Sequence, residues 1–147
     1  MIKVRRYEPE DRKPLEELIA EQYKEMKMEA EYSVEMVTTT IGFFLSSPQS
    51  GYIAIILYKD KIVGYSIVLY QWKMSFSRIY LYIDEIFIKK QFRRYTPEIN
   101  LMDFISHEEK IQGIAIKQDR LKNSFKRTFK TMKFEKDPNN LFVKMLN

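Results

Sequence analysis

The segment 78-RIYLYIDEIFIKKQFRRYTPEINLMDFI-105 decides the fold of this chain. Its first part, residues 78–89, is rich in Ile and Tyr, which is typical of a β-strand. Pro97 then opens a helical pattern that runs to about residue 109. Ligands of such sheets bind beyond the carboxyl end of a strand that feeds a helix. We therefore place the expected site after Ile88.

The flanking sequence predicts the element order β-α-α-β-β-β-α-β-α-β-β. Period-two and β-branched runs predict strands at residues 2–7, 52–58, 62–72, 78–89, 111–117, 134–135 and 141–146. Three further helices follow from apolar stripes: Leu15, Leu18, Ile19, Tyr23 and Met26; Val34, Val37, Ile41, Phe44 and Leu45; Leu121, Phe125, Phe129 and Met132. Asp11 and Ser33 stand where N-caps belong. The crossover between residues 80 and 117 implies one locally parallel pair in a mostly antiparallel sheet.

Composition narrows the class of protein. The chain of 147 residues is 45% hydrophobic and 31% charged, a globular profile that excludes disorder. No apolar run is long enough to span a bilayer, and residues 1–6 lack the apolar core of a signal peptide. Cysteine is absent and His107 is the one histidine, which argues against a metal site. We expect one cytoplasmic α/β domain, residues 1–147, without metal.

The net charge of +5 is unevenly distributed. Residues 1–88 hold 11 Lys and Arg against 13 Asp and Glu, whereas residues 89–147 hold 14 against 7. A basic half suggests a polyanionic partner, either a nucleotide cofactor or nucleic acid, and the alternative is a solvated basic surface. Basic side chains without interleaved exposed aromatics are only a weak nucleic-acid signal.

Four segments, in this order, resemble the GNAT superfamily of N-acetyltransferases over essentially the whole chain. Residues 2–7 with Asp11 resemble its opening strand and helix start, and residues 59–65 resemble the hairpin into its third strand. Residues 82–88, YIDEIFI, are similar to its central strand, and residues 129–134 to its late Tyr-x-x-x-Gly-Phe segment. The resemblance implies a mixed sheet flanked by helices (an α/β, α+β-like class) and transfer of acetyl from acetyl-CoA.

The coenzyme-binding signature of that family, R/Q-x-x-G-x-G/A, is eroded here. Arg93 is in place, but Thr96 and Glu98 stand where the two small residues belong, with Pro97 between them. Read physically, Thr96 is an N-cap, Pro97 suits the first helical position, and Glu98 favours the positive end of the helix. Glu98 would compete there with a pyrophosphate.

The resemblance assigns the coenzyme to residues around this turn: Ile86, Phe87, Ile88, Arg93, Arg94, Tyr95, Thr96 and Asn123. Basic side chains could replace lost backbone contacts with charge-assisted ones. Phe129 stands where the family commonly has a tyrosine that acts as a general acid toward the thiolate. Phenylalanine has no proton to give, so we predict that Phe129 packs in the core. Tyr95 is a conceivable substitute for that hydroxyl.

Asp84 and Glu85 are the predicted catalytic residues, because a primary amine must lose a proton before it attacks a thioester. The resemblance allows either as the base. Strict alternation places them on opposite faces of the strand, with Glu85 beside Leu81, Ile83 and Phe87, and Asp84 beside Tyr80 and Tyr82. The alternative is an ion pair or solvent contact at the sheet end.

Two functions compete at this point. The first is acetyl-CoA-dependent acetylation of a small or protein amine. The second is a catalytically decayed domain of the same fold that binds protein or RNA. With either function the chain could also form a homodimer. A gap between the strands at residues 86–88 and 114–116 favours the coenzyme, whereas a gap filled by Phe92 or Tyr95 favours decay.

Overall fold

A seven-stranded mixed sheet forms the centre of the molecule. The computed structural model describes residues 1–117, 123–137 and 141–146. Its strands are β1 (Ile2–Arg6), β2 (Gly51–Tyr58), β3 (Lys61–Lys73), β4 (Arg78–Ile88), β5 (Gly113–Lys117), β6 (Glu135–Asp137) and β7 (Leu141–Met145). They lie in the order β1-β2-β3-β4-β5-β7-β6. Only β4 and β5 pair in parallel among the described strands, which confirms the predicted crossover.

Four α-helices cover the sheet, as the apolar stripes predict. They are α1 (Arg12–Glu25), α2 (Val34–Ser46), α3 (Pro97–Ser106) and α4 (Asn123–Thr131). The predicted caps differ in outcome. Ser33 accepts a hydrogen bond from the Met36 backbone N–H over 3.1 Å and caps α2 as expected. Asp11 precedes α1 but makes no side-chain cap to it; its carboxylate accepts hydrogen bonds from Arg5 at 2.7 and 2.9 Å and from the Glu8 backbone N–H at 2.8 Å.

The helices lie on opposite faces of the sheet and enclose two cores. The α1/α2 face buries Leu15, Leu18 and Ile19 against β-strand residues such as Ile55. The α3/α4 face buries a larger cluster that includes Leu101, Ile105, Phe125 and Phe129. Strand β2 contributes to both, since Tyr52, Ala54 and Ile56 face one core while Ile53, Ile55 and Leu57 face the other. The two faces of β4 therefore look into different environments.

Two predicted stripes shift at their ends. Met26 is exposed, and the last buried residue of α1 is Gln22 instead. On α2 the outer residues Val34 and Leu45 are exposed, while Val37 and Ile41 carry the contact with the sheet. A buried glutamine in an otherwise apolar stripe needs a polar partner.

Candidate functional site

The sheet opens along one edge of β4. Strand β5 pairs with β4 only from Leu81 to Ile83, opposite Ile114 to Ile116. Beyond Ile83, none of the described strands continues this ladder, although β4 runs on to Ile88. The opening lies at the carboxyl end of β4, in the position expected from the sequence.

A β-bulge at Asp84 lies where the ladder with β5 ends. On the other edge of β4, Ile83 pairs with Val68 and Glu85 pairs with Ile67, so Asp84 is the extra residue. The Ser66 hydroxyl donates a hydrogen bond to the Glu85 carbonyl over 2.7 Å beside this irregularity. A bulge inserts one residue into the two-residue period and changes which face the following side chains occupy.

The bulge overturns the predicted arrangement of the two acidic side chains. Leu81 and Ile83 belong to the α3/α4 core, whereas Phe87 belongs to the α1/α2 core. Glu85 contacts α1 and so lies on the α1/α2 face, not beside Leu81 and Ile83. Asp84 and Glu85 line the same cleft, and the expectation of opposite faces was wrong.

This acidic cleft, as we name it, has a volume of about 220 Å³ between the sheet and helices α1 and α2. Its walls are mainly apolar side chains from Ile19, Met36, Val37, Phe44, Ile67 and Leu69. Its polar lining consists of Tyr23, Thr40, Tyr65, Asp84 and Glu85. None of the described lining residues is cationic. Two carboxylates in an apolar cleft attract a cationic ligand.

Gln22 connects the two polar ends of the cleft. The Tyr65 hydroxyl donates to the Gln22 side-chain carbonyl. The Gln22 amide nitrogen in turn donates to Glu85 Oε2 over 3.1 Å. Burial and then the charge of Glu85 raise the pKa of Tyr65 well above its ordinary value, so Tyr65 keeps its proton and remains the donor. The sequence signal for Gln22 was its place on the apolar stripe of α1, three residues after Ile19.

Arg93 is engaged inside the protein. Its Nε donates to the Ile88 carbonyl over 2.8 Å, and its terminal nitrogen donates to both carboxylate oxygens of Glu25 at 2.9 and 2.8 Å. The guanidinium therefore ties the end of β4 to the last residue of α1. Such a paired geometry leaves less of its charge available to a ligand phosphate.

The aromatic residues of the turn pack away from the opening. Tyr95 stacks on Tyr58 with a ring distance of 4.8 Å, and Phe92 lies 5.3 Å from the same ring. Tyr58 ends β2, which lies across β3 from β4, on the side away from β5. Hydrogen bonds with Tyr58 and Arg94 lower the pKa of Tyr95. The predicted signs of decay, Phe92 or Tyr95 in the gap, are not what these contacts show.

Thr96 does not cap α3, contrary to prediction. Its φ and ψ of 48° and 54° lie in the left-handed region, and its hydroxyl donates to the Tyr95 carbonyl over 2.8 Å. Pro97 disfavours the right-handed region for the residue before it. The chain meets that restriction by turning left-handed, which directs the hydroxyl to the preceding carbonyl instead of to the helix N–H groups.

Glu98 lies buried at the start of α3, where it is only 2% exposed. Its carboxylate accepts hydrogen bonds from its own backbone N–H and from the Thr128 hydroxyl of α4. Its Oε2 has no partner among the described residues. Burial raises the pKa of Glu98 above its ordinary value, against these two hydrogen bonds.

The remaining predicted residues divide as follows. Ile86 and Ile88 face the α3/α4 core, and Phe87 faces the other core. Phe129 is fully buried, 4.9 Å from the Phe134 ring, so its predicted core role is confirmed. Asn123 begins α4, but its side chain lies outside the described residues, as does Leu121.

No three His, Cys, Asp or Glu side chains in the described ranges are grouped to hold a metal ion. Within the same ranges, no helix has the length and apolar character needed to cross a membrane.

Solved structures resemble this chain closely in shape. A GNAT-family acetyltransferase from Staphylococcus aureus Mu50 matches with a TM-score of 0.73 and 15% identity over 100% of both chains. Glucosamine-6-phosphate N-acetyltransferase from Arabidopsis thaliana matches with a TM-score of 0.70 and 14% identity over 93% of each chain. Arabidopsis NAA60, in complex with a bisubstrate analogue, matches with a TM-score of 0.66 and 14% identity over 100% of this chain and 99% of that one.

The chain therefore has the fold of the GNAT acetyltransferases, which confirms the predicted fold class. No protein-family model matches the sequence, and no curated protein matches it. The likeness lies in the fold, because only 14–15% of the residues are identical to those of these three structures.

Proposed function

We propose that this chain is an N-acetyltransferase that moves an acetyl group from acetyl-CoA to a primary amine. The observation that carries the proposal is the acidic cleft, which brings Asp84 and Glu85 to one face of β4 where that strand parts from β5. The shared fold adds support, since the matched structures include acetyltransferases. No observation favours the protein- or RNA-binding alternative.

The fit of the coenzyme differs along its length. Acetyl-CoA, when bound, supplies an acetyl group activated as a thioester. The unpaired edge of β4 beyond Ile83 suits its amide-bearing arm, because strand backbone groups there lack a described strand partner. The start of α3 does not suit its diphosphate in the described conformation, because the Glu98 carboxylate lies there.

Glu85 is the proposed general base. A protonated amine cannot attack a carbonyl carbon, so a group in the cleft has to take its proton. The Gln22 amide donates to Glu85 Oε2, and this hydrogen bond fixes the orientation of the Glu85 carboxylate. Gln22 is thus a positioning residue, because it acts on the reaction through Glu85.

Asp84 is the proposed anchor of the incoming ammonium group. It lies next to Glu85 on the bulge and lines the same cleft. Two adjacent carboxylates attract a cation more strongly than one, and the apolar walls reduce screening by water. Asp84 therefore contributes to binding, and Glu85 to proton removal.

The cleft lining also indicates the kind of acceptor. Apolar side chains form most of its walls, and the described lining offers no cation to an anionic substituent. An amine on an apolar or uncharged body fits this chemistry. A sugar phosphate or an amino acid with a free carboxylate would face repulsion from Asp84 and Glu85.

Calorimetry with acetyl-CoA and a thiol-release assay test the proposal. We expect measurable binding and acetylation of uncharged-body amines such as 2-phenylethylamine, with much weaker activity on glucosamine 6-phosphate. A matched control is Glu21→Gln, which neutralises an exposed carboxylate beside Gln22 on α1 and should leave activity unchanged. Absence of coenzyme binding up to millimolar concentration would contradict the proposal.

A further inference from the structure

Glu98 combines two features that rarely occur together. It is the second residue of the ten-residue helix α3, and it is 2% exposed. A carboxylate in that environment is normally fully hydrogen-bonded, because an unpaired buried acceptor is costly. Glu98 Oε2 nevertheless has no partner among the described residues. An unpaired, buried negative oxygen at a helix start calls for an explanation.

The start of an α-helix is a place for an anion. Its first N–H groups lack partners in the helix, and the helix dipole adds partial positive charge there. A ligand phosphate uses these properties when it binds at a helix N-terminus. In this chain the Glu98 carboxylate lies there and is held by its own N–H and the Thr128 hydroxyl of α4. The chain itself supplies the anion.

We propose that Glu98 is a built-in occupant of the anion site at the start of α3. A diphosphate-bearing ligand then binds there only when the carboxylate takes up a proton or turns out of the site. The inference rests on the proposed function, because it concerns the diphosphate end of the same acyl donor. It assigns to Glu98 the control of donor affinity.

Nearby charges do not relieve the conflict between Glu98 and a bound diphosphate. The cations closest in sequence to Glu98 and to its partner Thr128 are Arg93 and Arg94 before α3, with Lys126, Arg127 and Lys130 on α4. None of them contributes to the shift in the pKa of Glu98, whose causes are burial, its own N–H and Thr128. Arg93, the nearest arginine of the signature, is held by Glu25. Ligand binding would therefore place two anions together without a new cation between them.

This arrangement couples ligand binding to one proton. Where Glu98 is ionised in the free protein and protonated in the complex, affinity falls by up to about tenfold for each pH unit of increase. Turning the side chain out instead would leave affinity low but less dependent on pH. Removing the charge removes the competition in either case.

Calorimetry with dephospho-coenzyme A tests the inference, because its diphosphate stays ionised between about pH 5.5 and 8.5. We expect the parent protein to lose at least about tenfold in affinity from pH 5.5 to 8. Glu98→Gln should bind at least about tenfold more tightly than the parent at pH 8, with little dependence on pH. Glu98→Gly should do the same and checks that the effect does not need the glutamine amide.

Glu108→Gln is the matched control. Glu108 is also a partly buried glutamate whose Oε2 lacks a described partner, but it lies beyond the opposite end of α3. It should keep the affinity and pH dependence of the parent, and thermal unfolding should show that each variant is folded. Equal affinity of the parent and Glu98→Gln at pH 8 would overturn the inference alone. Absence of binding by both proteins at every pH would overturn the proposed function as well.

Discussion

The two ends of the opening in the sheet use carboxylates in opposite ways. In the acidic cleft, Asp84 and Glu85 line a cavity, and Gln22 donates to one of them. At the start of α3, Glu98 is buried inside the protein and fills a place that a ligand anion could use. The first arrangement favours a cationic ligand and the second opposes an anionic one.

This difference shows that fold and charge can diverge within one site. The strand order and the crossover helix belong to a fold that this chain shares with GNAT acetyltransferases. Under the proposed function, the carboxylates of the acidic cleft suit a cationic acceptor, whereas Glu98 opposes a diphosphate-bearing donor. Variants of the acidic cleft should therefore change turnover, whereas variants at the start of α3 should change donor affinity.

Glu85→Gln should abolish most of the turnover that depends on the acidic cleft. Loss of a general base lowers the turnover number by about 10²- to 10⁴-fold. Donor affinity should change little, because the substitution lies on the α1/α2 face of the sheet. Steady-state kinetics and calorimetry measure the two quantities separately. A turnover number within threefold of the parent would show that Glu85 is not the general base. Asp84 would then be the remaining carboxylate of the cleft to test.

Glu98→Gln should raise the free energy of unfolding of the protein by an amount that depends on pH. The pKa of Glu98 is raised in the folded state, so the neutral form is favoured, and that stability is lost as pH rises through the folded pKa. At pH 8 the variant should be more stable by about 1–2 kcal/mol, and near pH 4 the two proteins should be alike. Denaturant unfolding at both pH values measures this.

Its comparison variant is Glu108→Gln, which weakens bonds that Arg6 and Tyr70 donate to Glu108 at 3.0 and 2.6 Å. That variant should lose stability at pH 8. A loss of stability at pH 8 in Glu98→Gln as well would mean that the Glu98 carboxylate is well satisfied as an anion.

Gln22→Leu should separate positioning from chemistry in the cleft. The substitution keeps a similar volume but removes the contacts with Tyr65 and Glu85. We expect turnover to fall about tenfold while the KM for the amine changes little, because Glu85 loses the donor that orients it. Gln22→Glu, of the same size, tests whether the amide donor is what matters. An unchanged turnover number in both variants would assign Gln22 to packing alone.

Glu25→Gln should give the smallest change. It weakens the pair with Arg93 and frees part of the guanidinium for a ligand phosphate. We expect donor affinity to rise about threefold, in the range of one partly exposed charge contact. Calorimetry at low and moderate salt measures it, with Glu21→Gln as the neighbouring control on α1. A weaker affinity would indicate that the ion pair positions the turn.

Much of the fold was predictable because it follows from periodicity. The alternating and β-branched runs predicted six of the seven described strands closely, and Ser33 marked the start of α2. Strand β6 was expected at residues 134–135 and lies at Glu135–Asp137. The parallel pair followed from the strand–helix–strand crossover between residues 80 and 117. These features depend on residues close together in the chain.

The details of the site were less predictable because they depend on distant contacts. The bulge at Asp84 arises from pairing with β3, so strict alternation gave the wrong face for Glu85. Thr96 was expected to cap α3, but it adopts a left-handed conformation and its hydroxyl donates to the Tyr95 carbonyl instead. The burial of Glu98 requires α4, whose Thr128 is thirty residues away in the chain. Gln22 alone left a local sign, a polar residue in an apolar stripe.

The single extra residue at Asp84 reverses the alternation of side chains between the two faces of β4. Before it, odd-numbered side chains such as Leu81 and Ile83 enter the α3/α4 core, and after it the even-numbered Ile86 and Ile88 do so. Deletion of Asp84 would remove the bulge, and the strand would then alternate without a break, so Ile86 and Ile88 would stay in the α3/α4 core. Only one carboxylate, that of Glu85, would remain on the α1/α2 face. The extra residue is therefore what places two adjacent carboxylates on this face instead of one.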